Sequence, residues 1–138
     1  MRFVVDRHLG RLAKWLRTMG FDAFYDVNCL DERLREECRK EGSVLVTTSE
    51  SIGSHLQAPR TVLVPKEETG DQISTLVQEL HLDPRAGLFT RCVICNLPVH
   101  PVSPEVCADL VPPQVRASTS RFTRCTQCGR VYWEGSHT

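Results

Sequence analysis

Two Cys-x-x-Cys pairs, Cys92/Cys95 and Cys125/Cys128, are separated by 29 residues, and they constrain the last third of this chain more than any other feature. Two such knuckles supply four thiolates, the tetrahedral donor set that suits zinc. The spacing predicts a small zinc ribbon, with Gly129 allowing the tight backbone after the second knuckle and Val131-Tyr132-Trp133 continuing as a strand. A site closed by four thiolates keeps no open coordination position, so this zinc is expected to be structural. The segment has few apolar residues, and metal binding worth about 10–16 kcal/mol in small zinc modules is expected to dominate its folding. Seven cysteines is an odd number, which argues against a fully disulfide-paired secreted scaffold. Of the three left over, Cys38 falls on an apolar helix stripe and reads as core. Cys29 and Cys107 carry no reactivity that sequence can show, because that needs a depressed pKa.

The first 85 residues have a different character. Phe3–Val5 reads as a short buried strand that delivers Asp6 to the start of a helix. On that helix Leu9, Leu12, Ala13, Leu16 and Met19 follow the spacing of a single apolar face, and Gly20 is placed as its stop. At 100° per residue, Arg7, Arg11, Lys14 and Arg17 fall together on the opposite face, with Trp15 at the border as interfacial core. An acid at a strand end beside four cations suits a metal ion and a phosphate chain. A plainer account fits the same residues: Asp6 caps the helix and the cations cover a solvated face.

Phe21–Tyr25 predicts a second strand, and Asp31 opens a second helix on which Leu30, Leu34 and Cys38 recur every four residues. Val44-Leu45-Val46 reads as a central strand covered on both sides. Thr47 to Ser51 lies at its carboxyl end and leads into a short helix towards Leu56. Thr61–Val64 is another strand, and Asp71 begins a helix with Ile73, Leu76, Val77 and Leu80 as its apolar stripe. This alternation predicts an α/β fold with a mostly parallel sheet. Sites in such sheets form beyond the carboxyl ends of strands, where Asp6, the Thr47–Glu50 segment and Asp31 all fall. Asp83, Pro84 and Gly87 mark a break, giving an α/β domain over residues 1–86 and the ribbon over 87–138.

Formal charge is zero overall, −2 over residues 1–85 and +2 over 86–138. That asymmetry is too small to draw nucleic acid by bulk electrostatics, so any such role rests on local stripes. No apolar run reaches membrane-spanning length and Met1 leads directly into structure, so the expectation is an intracellular protein without membrane attachment, cytoplasmic or nuclear.

Two end motifs are specific. Asp6-Arg7-x-Leu9-Gly10-Arg11-Leu12-Ala13-Lys14-Trp15-Leu16-Arg17 with Gly20-Phe21-Asp22 stands at one end. Arg91-Cys92-x-x-Cys95-Asn96 and Cys125-x-x-Cys128-Gly129-Arg130-x-Tyr132-Trp133-x-Gly135-Ser136-His137 stand at the other. Together they closely resemble the Mut-seven C-terminal RNase domain, a PIN-like nuclease domain with a C-terminal zinc ribbon. The resemblance implies a PIN-like three-layer α/β/α sandwich and a ribonuclease dependent on Mg²⁺ or Mn²⁺, with RNA as partner and no DNA preference. It further implies Asp6 and then Asp31 as metal ligands. Arg7, Arg11, Lys14, Arg17, Thr47 and Ser49 are the candidate substrate contacts. The family's Thr-Arg-Asp after the central strand is matched here by Thr47-Thr48-Ser49, so a carboxylate and an arginine are missing, with Glu50 one residue along as the candidate third acid. That departure keeps two other functions open: an RNA-binding module that does not cut, and a protein-interaction domain. His8, Tyr132 and Trp133 are further candidates for RNA contact, one of the two aromatics being the expected dock between ribbon and sheet. The role of His137 is left unassigned.

Overall fold

The computed structural model describes residues 1–118 and 121–133. Strands β1 (Arg2–Val5), β2 (Asp22–Phe24), β3 (Ser43–Thr47) and β4 (Thr61–Leu63) form one parallel sheet in the order β2-β1-β3-β4. They alternate with helices α1 (Gly10–Thr18), α2 (Asp31–Arg39), α3 (Glu50–His55) and α4 (Thr69–Leu80). Successive strand residues point to opposite faces. Phe3, Val5, Val44, Val46 and Val62 therefore meet Leu12, Leu16 and Leu76 of α1 and α4 on one side. Val4 and Leu45 meet Leu34, Cys38 and Leu56 on the other. Both faces are covered, which is why the strands are continuous apolar runs, and the architecture is the expected three-layer α/β/α sandwich. Among the described residues no helix is long and apolar enough to cross a membrane.

Three local expectations shift. The first helix begins at Gly10, and residues 6–9 make a turn closed by the Leu9 N–H donating to the Asp6 carbonyl at 2.9 Å. Leu30 is 73 % exposed just before α2, so the core stripe of that helix starts at Leu34. The last helix of the sandwich begins at Thr69, two residues before Asp71.

Gly20 ends α1 as its place in the sequence suggests. At φ +89° its N–H donates to the Arg17 carbonyl at 2.9 Å, and the Phe21 N–H reaches the Leu16 carbonyl at 3.0 Å. This pair of bonds is the Schellman arrangement that satisfies orphan helix carbonyls. A Cβ here would also run into the backbone of Gly87 and come within 2.7 Å of Thr90 Oγ1.

One buried acid has no apolar pattern to announce it. Glu37 is 1 % exposed on α2 and holds three cations: Arg2 at 2.9 Å, Lys40 at 3.0 Å and Arg33 at 3.1 Å. Burial pushes its carboxyl up, but the bonds from Lys40 and Arg2 outweigh that and leave it below its usual 4.5. A depressed carboxylate contributes stability that is present above its unfolded pKa and is lost as pH falls through its folded one. Glu37→Gln is therefore expected to cost about 1–3 kcal/mol at neutral pH. Its urea midpoint should fall less steeply than that of the wild type as pH drops below about 4.5, and parallel curves would disprove the account.

The C-terminal part carries a second, antiparallel sheet of β5 (His100–Val102), β6 (Phe122–Arg124) and β7 (Val131–Trp133), in that order. A short 3₁₀ turn (Ala108–Leu110) and α5 (Pro113–Ser118) lie between β5 and β6. This ribbon is attached to the sandwich at the open edge strand β2. Asn96 Oδ1 accepts from the Ala23 N–H at 3.0 Å, and its Nδ2 donates to Asp22 Oδ1 at 2.8 Å. Arg17 Nε donates to the Ala23 carbonyl at 3.0 Å, and its Nη1 donates to the Val93 carbonyl at 2.8 Å. Edge strands present unpaired backbone groups that native proteins cover. The ribbon does so here with an asparagine that sits at φ +57° just after the first knuckle.

Candidate functional site

The chain runs from β1 outward to β2 and then returns to the other side of β1 for β3, so the sheet reverses direction between β1 and β3. A crevice at that reversal, beyond the strand ends, is where α/β sheets bind ligands. Val5 is in register with Val46, which sets Asp6 and Thr47 side by side there. Asp6 is 5 % exposed and Thr47 fully buried. Thr47 Oγ1 donates to Asp6 Oδ2 at 2.8 Å and accepts the Ser49 N–H at 3.2 Å. Among the described residues, the other carboxylate oxygen, Oδ1, has only a long 3.5 Å approach from the His8 N–H. Asp6 is thus not the cap of α1, whose N-cap position is held by Leu9 and carries no side-chain cap bond. A carboxylate accepts about four hydrogen bonds when ionised. Among the described residues this one has one firm partner, a donor shortage that a bound cation would relieve.

Asp31 lies at the opening of α2 and is tied on both oxygens. Arg7 Nη2 donates to Oδ1 at 2.7 Å, and His55 Nε2 stands 2.9 Å from Oδ2. His55 first, then Arg7, holds the Asp31 carboxyl below its ordinary value. Arg7 also donates to the Cys29 carbonyl at 2.9 Å, while its own carbonyl accepts from Tyr25 Oη at 3.0 Å. That tyrosine crosses Gly10 so closely that a Cβ there would lie 2.8 Å from its hydroxyl.

Ser49 Oγ bonds Ser51 Oγ at 2.8 Å. Glu50 is exposed in the first turn of α3 and lines a cleft of about 330 Å³ with Gly53, Ser54 and the β4 residues Thr61 and Leu63. Among the described residues, the four cysteines alone bring three or more metal-ligating side chains within 4.8 Å of one another. Asp6, Asp31 and Glu50 share the rim but do not together enclose one ion in this arrangement.

The four cations of the first motif divide. Arg7 and Arg17 are engaged with Asp31 and with the backbone of β2 and the ribbon, whereas Arg11 and Lys14 are exposed on α1. Trp15, expected at an interface, is 41 % exposed beside them. His8 is exposed as well. Among the described residues, neither ribbon aromatic belongs to the apolar clusters that pack on the four-stranded sheet. Tyr132 is buried inside the ribbon, and Trp133 packs edge-on against Phe122 at 6.4 Å. Sequence reasoning missed His55, which lies outside every motif, and the bonds of Asn96 to β2, since its place in the first knuckle motif carries no signal of that partner. Gly135, Ser136 and His137 lie outside the described residues.

In the ribbon, the sulfurs of Cys92, Cys95, Cys125 and Cys128 lie mutually within 4.8 Å, so the set is placed to hold a metal ion such as zinc. Soft thiolates in fours favour zinc over oxygen-seeking cations. Gly129 follows the second knuckle at φ +78°, and its N–H donates to the Cys125 carbonyl at 2.9 Å. Tyr132 Oη stands 3.1 Å from Cys92 Sγ. Burial pushes the Cys92 thiol up, yet this hydroxyl and the knuckle N–H groups bring it down to about 7, while burial and its thiol neighbours push Cys95 up to about 12. Without a metal, four such thiols cannot all ionise together.

The family model described as the Mut7-C RNAse domain matches residues 1–138, the whole chain. No curated protein and no solved structure matches it. With the switch-point aspartate in a parallel α/β sandwich and the four-cysteine ribbon both in place, the chain belongs to the Mut7-C RNAse domain family.

Proposed function

We propose that this protein is a divalent-metal-dependent ribonuclease that hydrolyses RNA phosphodiesters at the β1/β3 rim. In this reading residues 1–86 are the PIN-like catalytic unit and 87–138 a zinc-held ribbon. The observation that carries it is Asp6: a buried carboxylate at the reversal of the sheet, with one oxygen fixed by Thr47 and the other short of donors. An all-oxygen set fits Mg²⁺ or Mn²⁺, which take one or two protein carboxylates and fill the remaining positions with water and substrate phosphate. Asp6 would be the principal ligand, with Asp31 as the second once it is released from Arg7 and His55. Such an ion neutralises phosphate charge and lowers the pKa of a bound water. Thr47 orients the Asp6 carboxylate. Ser49 and Glu50 flank the rim on the α3 side, and Arg11 and Lys14 supply phosphate contacts from α1.

A second reading, an RNA-binding module of nuclease ancestry, draws support from Ser49 in place of the family's aspartate and from the separation of the three acids. A manganese titration with single-stranded RNA decides between them. Cleavage that rises with Mn²⁺ and saturates is the expected result. Binding without cleavage at every metal concentration would leave only the second reading.

A further inference from the structure

Tryptophan is highly buried on average, yet Trp15 is 41 % exposed on the outer side of a helix whose apolar side is already satisfied by the sheet. It lines a cleft of about 400 Å³ together with Gly10, Arg11, Lys14 and Thr18. Gly10 contributes no side chain to roof the cleft, and Arg11 stands one helical turn before the indole. Among the described residues neither Arg11 nor Lys14 has an ion-pair partner, and no carboxylate lines the cleft. Arg2, Arg7 and Arg33, by contrast, are paired with acids. Two cations without ion-pair partners beside a partly exposed indole, in a cleft lined by no carboxylate, favour a polyanion that also presents a flat ring. The cleft starts where α1 leaves the Asp6 turn, and Trp15 is about 7.5 Å further along the helix axis at 1.5 Å per residue.

We infer that Trp15 is a stacking platform for an unpaired base of single-stranded RNA, with Arg11 and Lys14 on the flanking phosphates. The inference rests on RNA being the substrate class proposed above. A paired base already has its faces covered within the duplex and cannot offer one to an indole, so the cleft selects single-stranded segments or loops. Every base has a π-face, so the contact is tolerant of sequence.

The test uses the full chain carrying Asp6→Asn with no added divalent metal, so that nothing is cut during the measurement. Short oligouridylate and duplex RNA are titrated against this parent and against the same chain with Trp15→Ala or Trp15→Phe, by fluorescence anisotropy of the labelled RNA. Trp15→Ala is expected to weaken single-strand binding about 5- to 100-fold, while Trp15→Phe keeps most of it and duplex binding stays unchanged. Equal affinity of parent and Trp15→Ala for the oligouridylate, an equal loss on duplex, or no binding by the parent would overturn the inference. A failure of the nuclease reading appears instead as absence of cleavage by the unmodified protein with Mn²⁺, and leaves this binding measurable.

Discussion

Withholding metal from the four-cysteine site is expected to unfold the ribbon while the four-stranded sheet stays folded. The ribbon's strands are three residues long and its apolar residues form two small clusters, one of Val93, Val99 and Tyr132 that includes two of the four candidate ligands, Cys92 and Cys125, and one of Cys107, Val111, Phe122 and Val131. A core of that size cannot offset about 1–2 kcal/mol of backbone entropy per ordered residue. Metal binding of about 10–16 kcal/mol, as in small zinc modules, would supply the difference. Hydrogen exchange with and without a chelator measures it: protection in β5–β7 should vanish, while β1 and β3 keep theirs. Cys92→Ser with Cys125→Ser should reproduce the chelated state. A ribbon that keeps its protection with no metal detectable by elemental analysis would contradict the account. Edge strand β2 is the sensitive reporter, since the Ala23 N–H is held by Asn96 of the ribbon and should exchange faster once the ribbon opens.

Asp6→Asn is expected to abolish RNA cleavage, by at least on the order of the 10- to 100-fold that loss of a residue merely supporting a metal ligand costs. The fold should survive, because an asparagine oxygen can still accept from Thr47 Oγ1 across the 2.8 Å contact. Thr47→Val separates orientation from ligation. It leaves Asp6 in place but removes both its donor and the acceptor for the Ser49 N–H. The expected result is a 10- to 100-fold weaker metal dependence and about 1–3 kcal/mol lost from stability for the unpaired groups. Thr47→Ser should restore much of both. Rates and manganese half-saturation measured side by side check the pair. Cleavage by Asp6→Asn at the wild-type rate would remove the rim from consideration.

What the chain reveals before folding is what local physics encodes. Continuous apolar runs in β1 and β3, a 3.6-residue stripe on α1, Gly20 at a helix end and two Cys-x-x-Cys knuckles each act within about a dozen residues. They determined the sandwich, the ribbon and the presence of an acid at the end of β1. Partnerships between distant residues were not legible. Thr47 meets Asp6 across 41 positions, and Arg17 reaches Val93 across 76. Such pairs follow from strand register and from which edge the ribbon covers. Helical spacing alone groups Arg7, Arg11, Lys14 and Arg17 on one side of α1. Only the tertiary structure decided that two of them are bound to the protein itself, leaving Arg11 and Lys14 open beside an exposed tryptophan. A charge on a helix face is set by sequence, whereas its availability depends on what packs against it.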